Sequence, residues 1–170
     1  MAGPRFALLS LLLLAASAHA EDVAGVVYEA TNAARVPSAN AFVIVHWAGR
    51  RPNFWHYESV CIQAAIGRSD AQGRVAIAEP PPLRSTFLVF RDSAAVTVWK
   101  PGFDDAYELR RPGEWILVPT KMNAEERASY ADALTSLGCA DAKGFLLPFT
   151  DPRGVLPDFR RALDAARRAR

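Results

Sequence analysis

The sequence predicts a mainly β domain, a seven-stranded antiparallel sandwich followed by C-terminal helices. Three observations predict it. Short runs rich in β-branched and aromatic residues recur along the chain. Turn-forming residues separate those runs every 8 to 15 residues or so, the spacing of an all-β sandwich or barrel. Past residue 120 the apolar positions change from strand to helical spacing.

Val23 to Tyr28 reads as the first strand, and the Thr, Asn and Pro of Ala30 to Ala39 as the turn of a hairpin. Asn40 suits a left-handed entry to the second strand. That strand, Ala41 to Ala48, is apolar at nearly every position, as in a strand covered on both faces. A basic, aromatic loop, Gly49 to Trp55, leads to a third strand, His56 to Ile66. Asp70-Ala71-Gln72-Gly73 forms a turn with glycine where positive φ is cheap, and Arg74 to Ala78 returns as the fourth. Pro80-Pro81-Pro82 is a stiff connector, because proline has no N–H to give a ladder. Phe87 to Phe90 and Val96 to Trp99 are two more short strands, the latter ended by Pro101-Gly102, a pair suited to the centre of a type II turn. Trp115 to Val118 is the seventh.

The first helix begins at Asn123, with Glu126 three residues on to complete a capping box. Ala124, Ala128, Ala131, Leu134 and Leu137 form its apolar stripe and Gly138 its stop. Phe145 to Gly154 is a connector, and Pro157 to Arg170 a second helix rich in Ala and Arg.

The N-terminus carries Arg5, an apolar run from Phe6 to Ala16 broken only by Ser10, and Ala18-His19-Ala20, the pattern of a signal peptide cleaved after Ala20. The run is far shorter than the roughly 20 residues a membrane-spanning helix needs. The expected division is residues 1–20 signal peptide, 21–120 β-sandwich and 121–170 helical extension packed on the sandwich. The expected location is periplasmic or secreted. Formal net charge is +2, falling to +1 without Arg5, a balance that predicts no nucleic-acid partner. In an oxidising compartment Cys61 and Cys139 read first as one disulfide. It would close a loop of 78 residues and contribute roughly 4 kcal/mol in the chain-entropy description. A buried inert thiol and a bridge to another protein are the alternatives.

Two segments resemble the carboxypeptidase regulatory-like domain, a transthyretin-like (prealbumin-like) β-sandwich appended to many exported proteins. Gly25-Val26-Val27-Tyr28-Glu29-Ala30 through Val36-Pro37-Ser38-Ala39-Asn40-Ala41-Phe42-Val43 is similar to its opening hairpin. Ser69-Asp70-Ala71-Gln72-Gly73-Arg74-Val75 is similar to its Thr-Asp-x-x-Gly-x-Phe turn. Asn40 stands for the usual glycine, Ala34-Arg35 for a turn glycine, and Val75 for the aromatic. Cys61 ahead of the turn, Trp99 to Phe103, and the Cys-bearing helix resemble small uncharacterised exported bacterial proteins. The resemblance implies a fold and brings no activity.

Chemistry is sparse. Only His46 and His56 follow the leader, and Glu58 lies two residues from His56 on the same strand face. A metal-assisted enzyme built on His46, His56 and Glu58 is one alternative, without a spacing motif to support it. His46 inside an apolar strand reads more simply as a core or edge histidine. No Gly-x-Ser-x-Gly, phosphate-binding glycine loop or purine-hydrolase Tyr-Arg-Gly-Ser ending is present, so no catalytic residue and no cofactor are expected.

The candidate partner-binding loop is Arg50, Arg51, Phe54, Trp55, His56 and Tyr57, since aromatics beside arginine stack on sugars or anchor proteins. Its alternative is that Phe54 and Trp55 fold back to close the sandwich, as Trp47, Trp99 and Trp115 are expected to fill the core. Arg160, Arg161, Arg167, Arg168 and Arg170 flank an apolar face of Phe159, Leu163 and Ala166, which gives either a membrane-surface helix or one docked on the domain. The leading expectation is a non-catalytic exported binding or structural module of the cell envelope, meeting a protein or glycan partner.

Overall fold

The computed structural model describes residues 22–52, 54–78, 90–108, 112–135 and 150–168. Among these residues eight strands and two helices follow in order: β1 (Val23–Ala30), β2 (Arg35–Pro37), β3 (Phe42–Pro52), β4 (Tyr57–Arg68), β5 (Arg74–Ile77), β6 (Phe90–Trp99), β7 (Phe103–Glu108), β8 (Glu114–Pro119), α1 (Ala124–Thr135) and α2 (Leu156–Arg168). The first sheet runs β2-β1-β8-β7 with β5 also on β1; the second runs β4-β3-β6. The leader, the triple proline, Cys139 and the Leu137-Gly138 helix end lie outside the described residues.

Mainly β architecture in two sheets is what the sequence predicts, but the count and the sense of pairing differ. β2 and β7 are additional strands, and Val96 to Trp99 is the end of a longer strand, β6, that includes Phe90; Phe87 to Val89 of the expected fifth strand lie outside the described residues. β7, Phe-Asp-Asp-Ala-Tyr-Glu, has weak intrinsic strand preference and forms because β8 offers it a ladder. Nor is every pair antiparallel: Val26 to Glu29 of β1 lie parallel to Glu114 to Leu117 of β8. Residue pattern marks a strand without naming its neighbour. The opening hairpin forms between β1 and β2, with Ala30 opposite Arg35. β3, its expected partner, lies in the other sheet.

The crossing between sheets is fixed by two buried serines. Asn40 takes a φ of 62°, as its side chain allows. Ser69 Oγ donates to Ser38 O at 2.7 Å and accepts from Ala41 N at 2.9 Å. Next to it, Asp70 Oδ1 accepts from the amides of Gln72 and Arg74, both at 2.8 Å. Gly73, with φ 73°, turns the chain into β5. Ser69-Asp70 is therefore turn structure.

The second sheet is the middle of three layers. Along β3 the odd residues Val43, Val45 and Trp47 join Val27, Ile62, Val98, Trp115 and Leu117 between the sheets. The even residues Phe42 and Ile44 join Ile66 and Trp99 under Ala131 and Leu134 of α1 and Phe159 and Leu163 of α2. Burial on both faces is why β3 shows no polar alternation. Trp47, Trp99 and Trp115 are all buried, as expected.

Alternation along β3 breaks at one level. Trp47 faces Gln63 but Ala48 faces Cys61, which leaves Ile62 as an extra residue in β4. One rung later Ala48 faces Ser93 and Gly49 faces Arg91, which leaves Asp92 extra in β6.

Both helices are tied down. Asn123 N donates to Glu126 Oε2 at 2.8 Å and Glu126 N to Asn123 Oδ1 at 3.0 Å, the expected capping box. Asp151 accepts from Val155 N and Leu156 N, both at 2.7 Å, and so caps α2. Asp158 pairs with Arg68 of β4 at 2.9 Å and with Arg161, and Arg167 pairs with Asp132 of α1 at 2.6 Å. The hydrogen bond from Arg161, then the charges of Arg161 and Arg68, hold the Asp158 carboxyl below its usual range against a desolvation cost.

Candidate binding surfaces

Two surfaces stand out: the tip of the β3–β4 hairpin, and a pocket between the helices and the β6–β7 turn.

At the tip, the sequence places its loop too early, because Gly49 to Pro52 continue β3, with Arg50 opposite Ser59, Arg51 opposite Glu58 and Pro52 opposite Tyr57. Phe90 of β6 lies opposite Arg50, and among the described residues Arg51 and Pro52 pair with β4 alone. Phe54 and Trp55 do not fold back. Each is 87% exposed, and Tyr57 is 63% exposed. Phe54 and Trp55 make an edge-to-face pair with centroids 5.0 Å apart, so the two rings present one joined apolar surface. Arg51 Nη2 donates to Glu58 Oε2 across the strands at 2.7 Å, an exposed pair that stiffens the hairpin stem more than it stabilises the fold.

The same pairing separates the three candidate metal ligands. Glu58 is engaged by Arg51, and His46 sits opposite Ala64, five residues back along β3, roughly 16 Å at strand rise. His56 is exposed in the turn. No group of three His, Cys, Asp or Glu among the described residues has metal-binding geometry.

The arginine-rich helix has already used the apolar face that a membrane surface would need: Phe159 and Leu163 are buried against the second sheet and Ala166 is half-buried beside them. Arg160, Arg161 and Arg168 face outward, Arg167 is paired, and Arg170 lies outside the described residues. No helix among the described residues is long and apolar enough to cross a membrane.

Cys61 stands on β4 beside the doubled irregularity, its Sγ 3.8 Å from Trp47 O and 3.7 Å from Gln63 O. Its pairing with Cys139 remains an expectation.

The pocket has a volume of about 370 Å³. Its floor is Trp99, held by Phe42 at a centroid distance of 5.8 Å and by Phe159 at 5.8 Å. One wall is the Pro101-Gly102 turn and Phe103. That turn forms as expected, with Phe103 N donating to Lys100 O at 3.1 Å and Gly102 at a φ of 89°. Thr120 N donates to Gly102 O at 3.0 Å, which fixes the rim to the end of β8. Opposite lie Met122, Arg127 and Tyr130 of α1 and its lead-in, and α2 contributes only Ala162, Ala165 and Ala166, which leaves the space open.

Next to the turn, Lys100 Nζ pairs with Glu29 Oε1 at 2.6 Å, and Ser38 Oγ donates to the same oxygen at 2.7 Å. Burial works to raise the Glu29 pKa, but the hydrogen bonds from Lys100 and Ser38 and the Lys100 charge prevail and hold it below the ordinary glutamate value. Lys100 also lies 5.7 Å over the Phe103 ring, so this cluster braces the pocket wall from behind.

The sequence reading missed the pocket. A usable signal was Arg127, a cation in the first turn of a helix, where the macrodipole disfavours positive charge. No family model, curated protein or solved structure matches this chain.

Proposed function

We propose that the chain is a non-catalytic, exported binding module of the cell envelope that engages a partner through the β3–β4 tip. The observation that carries this reading is the exposure of Phe54 and Trp55 at 87% each, in the turn that joins β3 and β4. A large exposed aromatic pair costs solubility and adds nothing to the core, while aromatic anchors beside arginine suit recognition. The sandwich is taken to be of transthyretin-like type, and the Cys61–Cys139 bridge to lock the helical layer to it in a periplasmic or extracellular setting. Two sheets joined through a common core, with helices seated on the second, support that reading of the frame.

The test is a photo-crosslinking amino acid at position 55 in the exported protein, with the same label at the exposed position 153 as control. A discrete envelope adduct from position 55 only, lost on Phe54→Ala, is the expected result. Identical adduct patterns from the two positions, or no adduct from position 55, would refute the role of the tip.

A further inference from the structure

We infer that the pocket between Trp99, Phe103 and the two helices is a binding site for a small amphipathic monocarboxylate, a carboxylate head on a single chain or ring system. This goes beyond the reading of the hairpin tip and does not depend on it.

The size and walls define the body of the ligand. At about 370 Å³ the pocket lies at the small end of the range for ligand sites, about 300–1,000 Å³. An aromatic floor and a flat alanine wall favour a narrow apolar body. Trp99 is 3% exposed and clamped by Phe42 and Phe159, so the floor is rigid before anything binds.

The head group follows from charge. Among the described residues no Asp or Glu lines the pocket, and Arg127 is the one charged residue that does. The Arg127 guanidinium donates from Nη1 to Met122 O at 2.7 Å, which holds it against the Met122 wall, and it makes no ion pair among the described residues. The nearest acid in sequence, Glu126, is committed to the Asn123 amide. An anion can therefore take the remaining guanidinium donors, whose planar fork fits a carboxylate. A neutral apolar ligand would desolvate the guanidinium without replacing its water, and a cation would meet like charge. One arginine matches one negative charge.

Met122 offers a local probe, since the chain has only two methionines. Titrating the exported protein, labelled with carbon-13 at its methionine methyls, with octanoate, octanol and octylammonium separates head from body. Octanoate is expected to shift the Met122 signal saturably and bind at least tenfold more tightly than octanol, with octylammonium weaker still. Arg127→Gln is expected to reduce octanoate to the level of octanol at an unchanged melting temperature, and Arg127→Lys to restore part of the preference. Ala166→Phe, which fills the space, is expected to abolish both. An unmoved Met122 signal, equal affinity for octanoate and octanol, or an unchanged preference in Arg127→Gln would each overturn the assignment.

Discussion

Phe159→Ala tests whether α2 is an integral layer of the domain or a tail resting on it. The ring is 3% exposed, 5.2 Å from Phe42 and 5.8 Å from Trp99 in edge-on contacts. Truncating a buried phenylalanine removes its transfer free energy and leaves a cavity, a loss of about 3–5 kcal/mol. The floor here is two aromatic rings backed by the central sheet, which cannot collapse to fill the gap, so the upper half of that range applies. In urea, with a slope of about 2 kcal/mol per molar for a chain of this size, the midpoint should fall by roughly 2 M. The melting temperature should fall by roughly 8–20 °C. Equilibrium unfolding followed by circular dichroism and by tryptophan fluorescence reads both midpoint and slope. A lower midpoint with unchanged slope means that helix and sandwich unfold as one unit. A fall of under about 1 kcal/mol, or a separate early helical transition, would refute the three-layer account.

Two further predictions concern links between layers. Because the folded Glu29 pKa is lowered, the contribution of this group is present above the ordinary value of 4.5 and is lost as pH falls through the folded value. Glu29→Gln should therefore cost about 1 kcal/mol near neutrality, and the gap to wild type should close below that pH; a gap that is constant or widens in acid would refute the pairing. Peptide mapping without reductant should join Cys61 to Cys139, and the double serine variant should be less stable by roughly 4 kcal/mol; two free thiols in native material would refute the bridge.

What the sequence revealed was whatever depends on local chemistry. The unbroken apolar run of β3 announced burial on both faces, and Asn123 with Glu126 announced a helix start that the backbone bonds reproduce. The Asp70–Gly73 turn and the left-handed Asn40 were equally legible. Features decided by distant partners were not. β7 is too acidic to declare itself a strand and needs β8. The parallel match of β1 with β8 joins segments more than eighty residues apart. The pocket depends on three small alanines of α2 facing Trp99 and Arg127, a juxtaposition made only by docking the helix. The tip was legible as residues, while its exposure was not, because residue type alone does not say whether the aromatic side chains of a turn point inward or outward.

The surplus residues Ile62 and Asp92 sit at adjoining rungs on either side of β3. Such insertions bend a ladder and increase its twist. With one on each flank of β3, the second sheet is bent at a single level, between its inner span and the hairpin tip. The inner span is packed on both faces, whereas Phe54, Trp55 and Tyr57 beyond the bend touch little of the core. Substitutions at those exposed tip residues should therefore alter what the tip meets while leaving folding untouched.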